Sequence, residues 1–125
     1  MSGIKKTSGV NVKQILANTA MQAAVGCIVG QDSATTVGSR KIVLAGTPVS
    51  GDLTNRKTKF VKHVDTTANA VGVVLHDVDV TDGDENASLL IFGFVNLNRM
   101  DTQAQALITT GVKTALDGKI WFIKD

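Results

Sequence analysis

Apolar residues in this chain come in short blocks and alternating runs, separated by turn formers, and seldom at helical spacing. Ala23 to Gly30 is an apolar block that predicts a strand, and Gln31 to Ser39 is rich in turn formers and predicts a loop. Lys41-Ile42-Val43-Leu44-Ala45 is a β-branched strand ending at Gly46-Thr47-Pro48, where the only proline sets a turn and removes a ladder donor. Residues 58–64 alternate charged and apolar, with Phe60 and Val64 on one face and Lys59 and Lys62 partly solvated, which predicts a half-exposed strand. The clearest unit follows. Ala70 to Leu75 predicts a buried strand, continued by the alternation His76-Asp77-Val78-Asp79-Val80. Thr81-Asp82-Gly83-Asp84-Glu85-Asn86 is turn chemistry and predicts an exposed hairpin tip. Ala87 to Val95 is apolar at successive positions, so both faces of this strand are expected to be buried, one in the domain's own core and one under a second layer or another subunit.

Towards the end of the chain, Asp101 is placed to cap a short helix with Ala104, Leu107 and Ile108 inward and Gly111 as its stop. Val112, Ala115 and Leu116 offer another turn, and Asp117-Gly118 turns into a final strand, Lys119 to Ile123. Residues 1–11 are Gly, Ser, Lys and Thr with isolated Ile and Val, the composition of an arm. From Val12 two readings stay open. Val12, Ile15, Leu16 and Thr19 share a helical face that Asn11 would cap, and the same residues suit an extended segment lying against a neighbour. The expected fold is therefore mainly β (mixed α+β): a small compact β-sandwich or barrel-like domain with one or two short helices, residues 19–125, preceded by a flexible N-terminal arm, residues 1–18.

Composition narrows the chemistry. The 125 residues suffice for one core without metals or disulfides, and that core must be aliphatic, because the chain has four Phe, one Trp and no Tyr. So few aromatics argue against a stacking surface for nucleobases or sugars. Cys27 lies in an apolar block, which predicts an inert buried thiol and no oxidising compartment. The first residues carry charge with no apolar run behind them, unlike a secretory signal, and no run approaches the roughly 20 residues of a membrane helix; the expectation is a soluble protein made in the cytosol. Net charge is +2, but residues 1–63 hold nine Lys/Arg against two Asp, and residues 64–125 hold four against nine Asp/Glu. That split suits nucleic-acid binding by the first half, head-to-tail contact between subunits, or simply two solvated faces.

Catalytic and metal chemistry find no pattern. His76-Asp77 would place base and orienter on opposite faces of a strand, and His63 has ordinary neighbours. The glycine spacing of Gly46 to Gly51 is followed by Asp52-Leu53 where a phosphate loop needs Lys and Ser/Thr. Calcium loops begun at Asp77 or Asp82 each put the wrong residues at the required Gly and Glu positions. No catalytic residue, metal ligand or cofactor is therefore assigned. The run Arg56 to Lys62 is the best nucleic-acid candidate, although one aromatic is thin support for it.

Three stretches together resemble the head decoration proteins of tailed bacteriophages, and also the capsid-anchoring base of phage head fibres. They are Val43-Leu44-Ala45-Gly46-Thr47-Pro48-Val49, the run Ala70 to Gly83, and the apolar strand ending Gly93-Phe94-Val95-Asn96-Leu97. The likeness spans roughly residues 40 to 125. It implies a structural virion protein, not an enzyme, that trimerises on the outside of the capsid, binds the major capsid protein and stabilises the head, after assembly in the host cytoplasm. The arm would then meet the shell through Lys5, Lys6 and Lys13, with Ile4, Val10 and Val12 adding strand pairing. Leu90, Phe92 and Phe94 are the candidate subunit contacts. Membrane and nucleic-acid partners are not expected. A small β-barrel nucleic-acid module using residues 56–62, and a phage tail or neck subunit, are the alternatives.

Overall fold

The computed structural model describes residues 14–18, 21–63 and 69–124. Among the described residues, nine strands and two short helices are arranged as a six-stranded sheet, a three-stranded sheet and a helical cover, so the mainly β expectation holds. The strands are β1 (Ala23–Val29), β2 (Thr35–Val37), β3 (Arg40–Val43), β4 (Pro48–Ser50), β5 (Val61–Lys62), β6 (Gly72–Val74), β7 (Val78–Asp79), β8 (Glu85–Asn96) and β9 (Ile120–Ile123). The helices are α1 (Thr102–Gln105) and α2 (Thr110–Ala115).

β8 is the spine. Along its first half it pairs with β1 on one side and, at Leu89 and Leu90, with β6 on the other. Along its second half the segment around Leu16 bridges to Val95, and β9 runs parallel on the opposite side from Gly93 to Asn96. The large sheet continues from β6 through β4 to β5, and β2, β3 and β7 form the small sheet.

Each face of the large sheet has its own core. Val73, Leu90 and Val95 look towards α1 and α2 and pack with Ala104, Ile108, Val112 and Leu116. Val74 and Leu89, one position along on the same strands, look towards the small sheet and pack with Val43, Phe60 and Val80. A strand buried on both sides must be apolar at successive positions, which is the pattern that Val73-Val74 and Leu89-Leu90 show.

Several local expectations change. Ile15 and Leu16 are buried, and the segment is extended: the Ala17 N–H donates to the Phe94 carbonyl at 2.8 Å and the Asn96 N–H to the Ile15 carbonyl at 2.9 Å. Ile15 and Leu16, assigned to the arm, are therefore packed, and the helical option is excluded for residues 14–18. The loop expected at 31–39 contains β2, joined to β3 through the two-residue Gly38-Ser39 turn. Ala70 to Val80 is not one strand, because the chain leaves the large sheet after Val74 and joins the small one as β7. The acidic turn consequently links two sheets; it is not a hairpin tip, since β7 pairs with β3 and β8 with β1 and β6. Asp101 caps α1 as expected, accepting from the Gln103 N–H at 2.9 Å. Gly111 does not stop that helix. It lies buried inside α2, which Thr109 caps through the Val112 N–H.

No described helix is long and apolar enough to cross a membrane.

Candidate interaction surface

The turn Ala45-Gly46-Thr47-Pro48 and the stretch from Gly72 to Asp79 are distant in sequence and bonded to each other in the fold. The Gly46 N–H donates to the Val74 carbonyl at 2.6 Å, and the Val74 N–H donates back to the Thr47 carbonyl at 2.9 Å. Asp77 accepts from the Ala45 N–H at 2.7 Å. Gly46 has φ +92°, a left-handed backbone that side chains rarely adopt, and Met100 occupies the space that a side chain there would take. Pro48 opens β4, where a missing N–H costs no ladder bond. Two of the three stretches that carry the phage resemblance thus form one structural joint between the sheets.

The acidic residues disperse. Besides Asp77, the Asp79 carboxylate bonds to Arg40 and accepts from the Thr81 N–H, and Asp84 lies 3.8 Å from Lys59, which also pairs with Asp32. Arg40 first, then the Thr81 hydroxyl and N–H, hold the Asp79 carboxyl down at about 2. Part of the basic first half is thereby matched to the acidic second half within one chain. That is a use of the charge split different from nucleic-acid binding, head-to-tail contact or two solvated faces.

One polar pair was not visible in the sequence. Ser50 Oγ and His63 Nδ1 lie 3.3 Å apart, because β4 and β5 pair Val49 with Lys62 and the His63 N–H donates to the Pro48 carbonyl at 2.9 Å. Only knowledge of that strand pairing could have found it. The ring is buried beside the edge of the sheet, and we read the contact as fastening β5 to β4. Cys27 is also buried, and desolvation pushes its thiol up, opposed by the nearby Arg56 charge; a raised thiol is a poor nucleophile.

The candidate subunit contacts separate. Leu90 is fully buried in the core beneath the helices, so it reaches no subunit surface and is withdrawn as a contact. Phe92 and Phe94 do reach the surface. An extra residue in β8, Ile91, falls between the partners of Ala24 and Ala23, and such a bulge puts two consecutive side chains on one face. Past the bulge, Phe92 and Phe94 therefore take the face that Leu89 held before it. The small sheet does not extend over this end. Trp121 on β9 joins them, edge-on to Phe92 at 5.6 Å and stacked on Phe94 at 5.0 Å. Phe92 is 37% exposed, Trp121 39% and Ile123 45%, so an uncharged, mostly aromatic surface lies open. Among the described residues β9 is hydrogen-bonded on one side only, to β8. The sparse aromatics argued only against a stacking surface for nucleobases or sugars; three of the five gather here. The candidate arm contacts Ile4, Lys5, Lys6, Val10, Val12 and Lys13 lie outside the described residues. Compared with known proteins, the chain matches no family model and no curated sequence.

Proposed function

We propose that this chain is a non-enzymatic structural subunit that self-associates through the aromatic end of its large sheet and, as a homotrimer, decorates the outside of a tailed-phage head. The observation that carries the first part is the open face of Phe92, Phe94 and Trp121 beside β9, which among the described residues pairs on one side only. Exposed apolar groups gathered on one uncharged face mark an interaction site, where scattered ones do not. The second part rests on the motif resemblance, two of whose three stretches form a single joint here, and on a compact β-rich build that suits such a protein. In this reading the major capsid protein is the partner of the N-terminal arm, and the β module is what the arm attaches.

Sedimentation analysis over a range of concentrations, with co-sedimentation on expanded phage heads, tests the proposal. A trimer that binds heads is expected. A monomer at every concentration that also fails to bind heads would sink it, and electron microscopy of labelled virions separates a head position from a tail or neck position.

A further inference from the structure

Arg56 and Lys57 are cations for which the fold supplies no carboxylate among the described residues. Lys59 is matched by Asp32 and Asp84, and Arg40 by Asp79. The Arg56 guanidinium donates instead to the Gly26 carbonyl at 2.9 Å. That bond lies on β1, and with the Phe60 N–H donating to the Ile28 carbonyl at 2.8 Å it holds the 51–60 loop along the strand. Between loop and strand runs a groove of about 650 Å³ with Ile28, Leu53, Arg56, Lys57 and Asn86 on its walls. Past Lys57 and Asn86 it continues into a hollow of about 330 Å³ bordered by Lys59, Asp84 and Glu85.

We propose that this groove docks an extended segment of a partner protein that carries a carboxylate at one end and apolar residues after it. The carboxylate sits between Arg56 and Lys57, and the apolar side chains lie on Ile28 and Leu53. The Gly26 carbonyl fixes the guanidinium by one donor and leaves the others for a two-point carboxylate contact. Leu53 is 41% exposed on the wall, an apolar surface waiting for cover. In the hollow Lys59 offsets Asp84, while Glu85 has no ion pair among the described residues and disfavours a second acid beside it, so the segment is best neutral or basic there. The Glu85 carboxylate also disfavours a nucleic acid, whose phosphates repeat along its whole length, and among the described residues no exposed aromatic lines the groove for base stacking. The site lies beside the start of β8, whereas the aromatic face lies near its end, so the two readings stand or fall separately.

The test uses the full chain and three probes: a short fluorescein-labelled peptide with glutamate, then leucines, then lysine; the same peptide with lysine in place of glutamate; and oligothymidylate. Saturable binding of the first alone is expected in fluorescence anisotropy, with amide shifts at Ile28, Asn55, Lys57 and Asn86 and none at the Trp121 indole. Lys57→Glu, at an exposed residue with no ion pair among the described residues, should weaken binding about tenfold, and Arg56→Ala should weaken it as well. Four results would overturn the proposal: no saturable binding, equal binding of the lysine peptide, preference for oligothymidylate, or shifts centred on Trp121.

Discussion

At the scale of single residues, two side-chain environments make direct predictions. Arg40 and Thr81 lower the Asp79 carboxyl from its ordinary 3.8 to about 2. A depressed carboxylate stabilises the fold above its unfolded value and loses that contribution as pH falls through the folded one, so the β3–β7 contact should fade between about pH 4 and pH 2. Carboxyl carbon shifts followed by NMR should place Asp79 near 2, and Arg40→Ala should raise it part of the way to the usual range, the Thr81 hydrogen bonds remaining. Gly72 is constrained by space: a Cβ there would run into the Leu90 carbonyl and the Leu89 side chain, because β6 lies so close to β8. Backbone cannot move aside as a flexible side chain can. Gly72→Ala should therefore cost about 1–3 kcal/mol by denaturant unfolding, an overpacking penalty. Neither constraint was visible in the sequence, where Gly72 is simply one glycine in an apolar run and Asp79 one acid in a cluster. Which residues share a patch of space depends on pairings across 30 or more positions, such as Asp77 with Ala45.

At the scale of elements, hydrophobic patterning located most strands and mistook how they are joined. Ala70 to Val80 looks continuous because each residue suits a strand, and propensity does not say which sheet a residue joins. β2 was missed because Thr35-Thr36-Val37 is short and sits among turn formers. β8 is the instructive case. Its successive apolar residues correctly signalled two buried faces, but for Leu89 and Leu90 both covers come from the chain itself. The Ile91 bulge is invisible to period counting, and it decides that Phe92 and Phe94 point to the open face. Neighbours that look equivalent in the sequence should thus behave differently. Leu90→Ala should lower stability by about 2–5 kcal/mol in thermal or chemical unfolding, the cost of a core cavity. Phe92→Ser should cost about 1 kcal/mol, the scale of an exposed ring contact, and should instead reduce self-association. Equal losses of stability in the two variants would contradict this assignment of faces.

At the scale of the whole molecule, the uneven charge along the chain turns into contact within it. The bonds from Arg40 to Asp79 and from Lys59 to Asp84 join the positive first half to the negative second half, and both are exposed pairs of small individual worth. The face proposed to carry assembly bears no charge on the residues that define it, Phe92, Phe94, Trp121 and Ile123. These two facts set the sign of a salt experiment. Head-to-tail attraction between oppositely charged halves would be screened as the Debye length shrinks from about 10 Å at an ionic strength of 0.1 M to about 3 Å at 1 M, and subunits would separate. Association driven by removing aromatic surface from water has no such attraction to lose, and excluded salts such as sulfate strengthen it. Sedimentation in 0.1 M and 1 M sodium sulfate should therefore show association unchanged or tighter at the higher concentration, with a concentration-dependent blue shift of Trp121 fluorescence as the indole leaves water. Dissociation by salt would return the assembly contact to the charged surfaces and leave Phe92, Phe94 and Trp121 for some other partner.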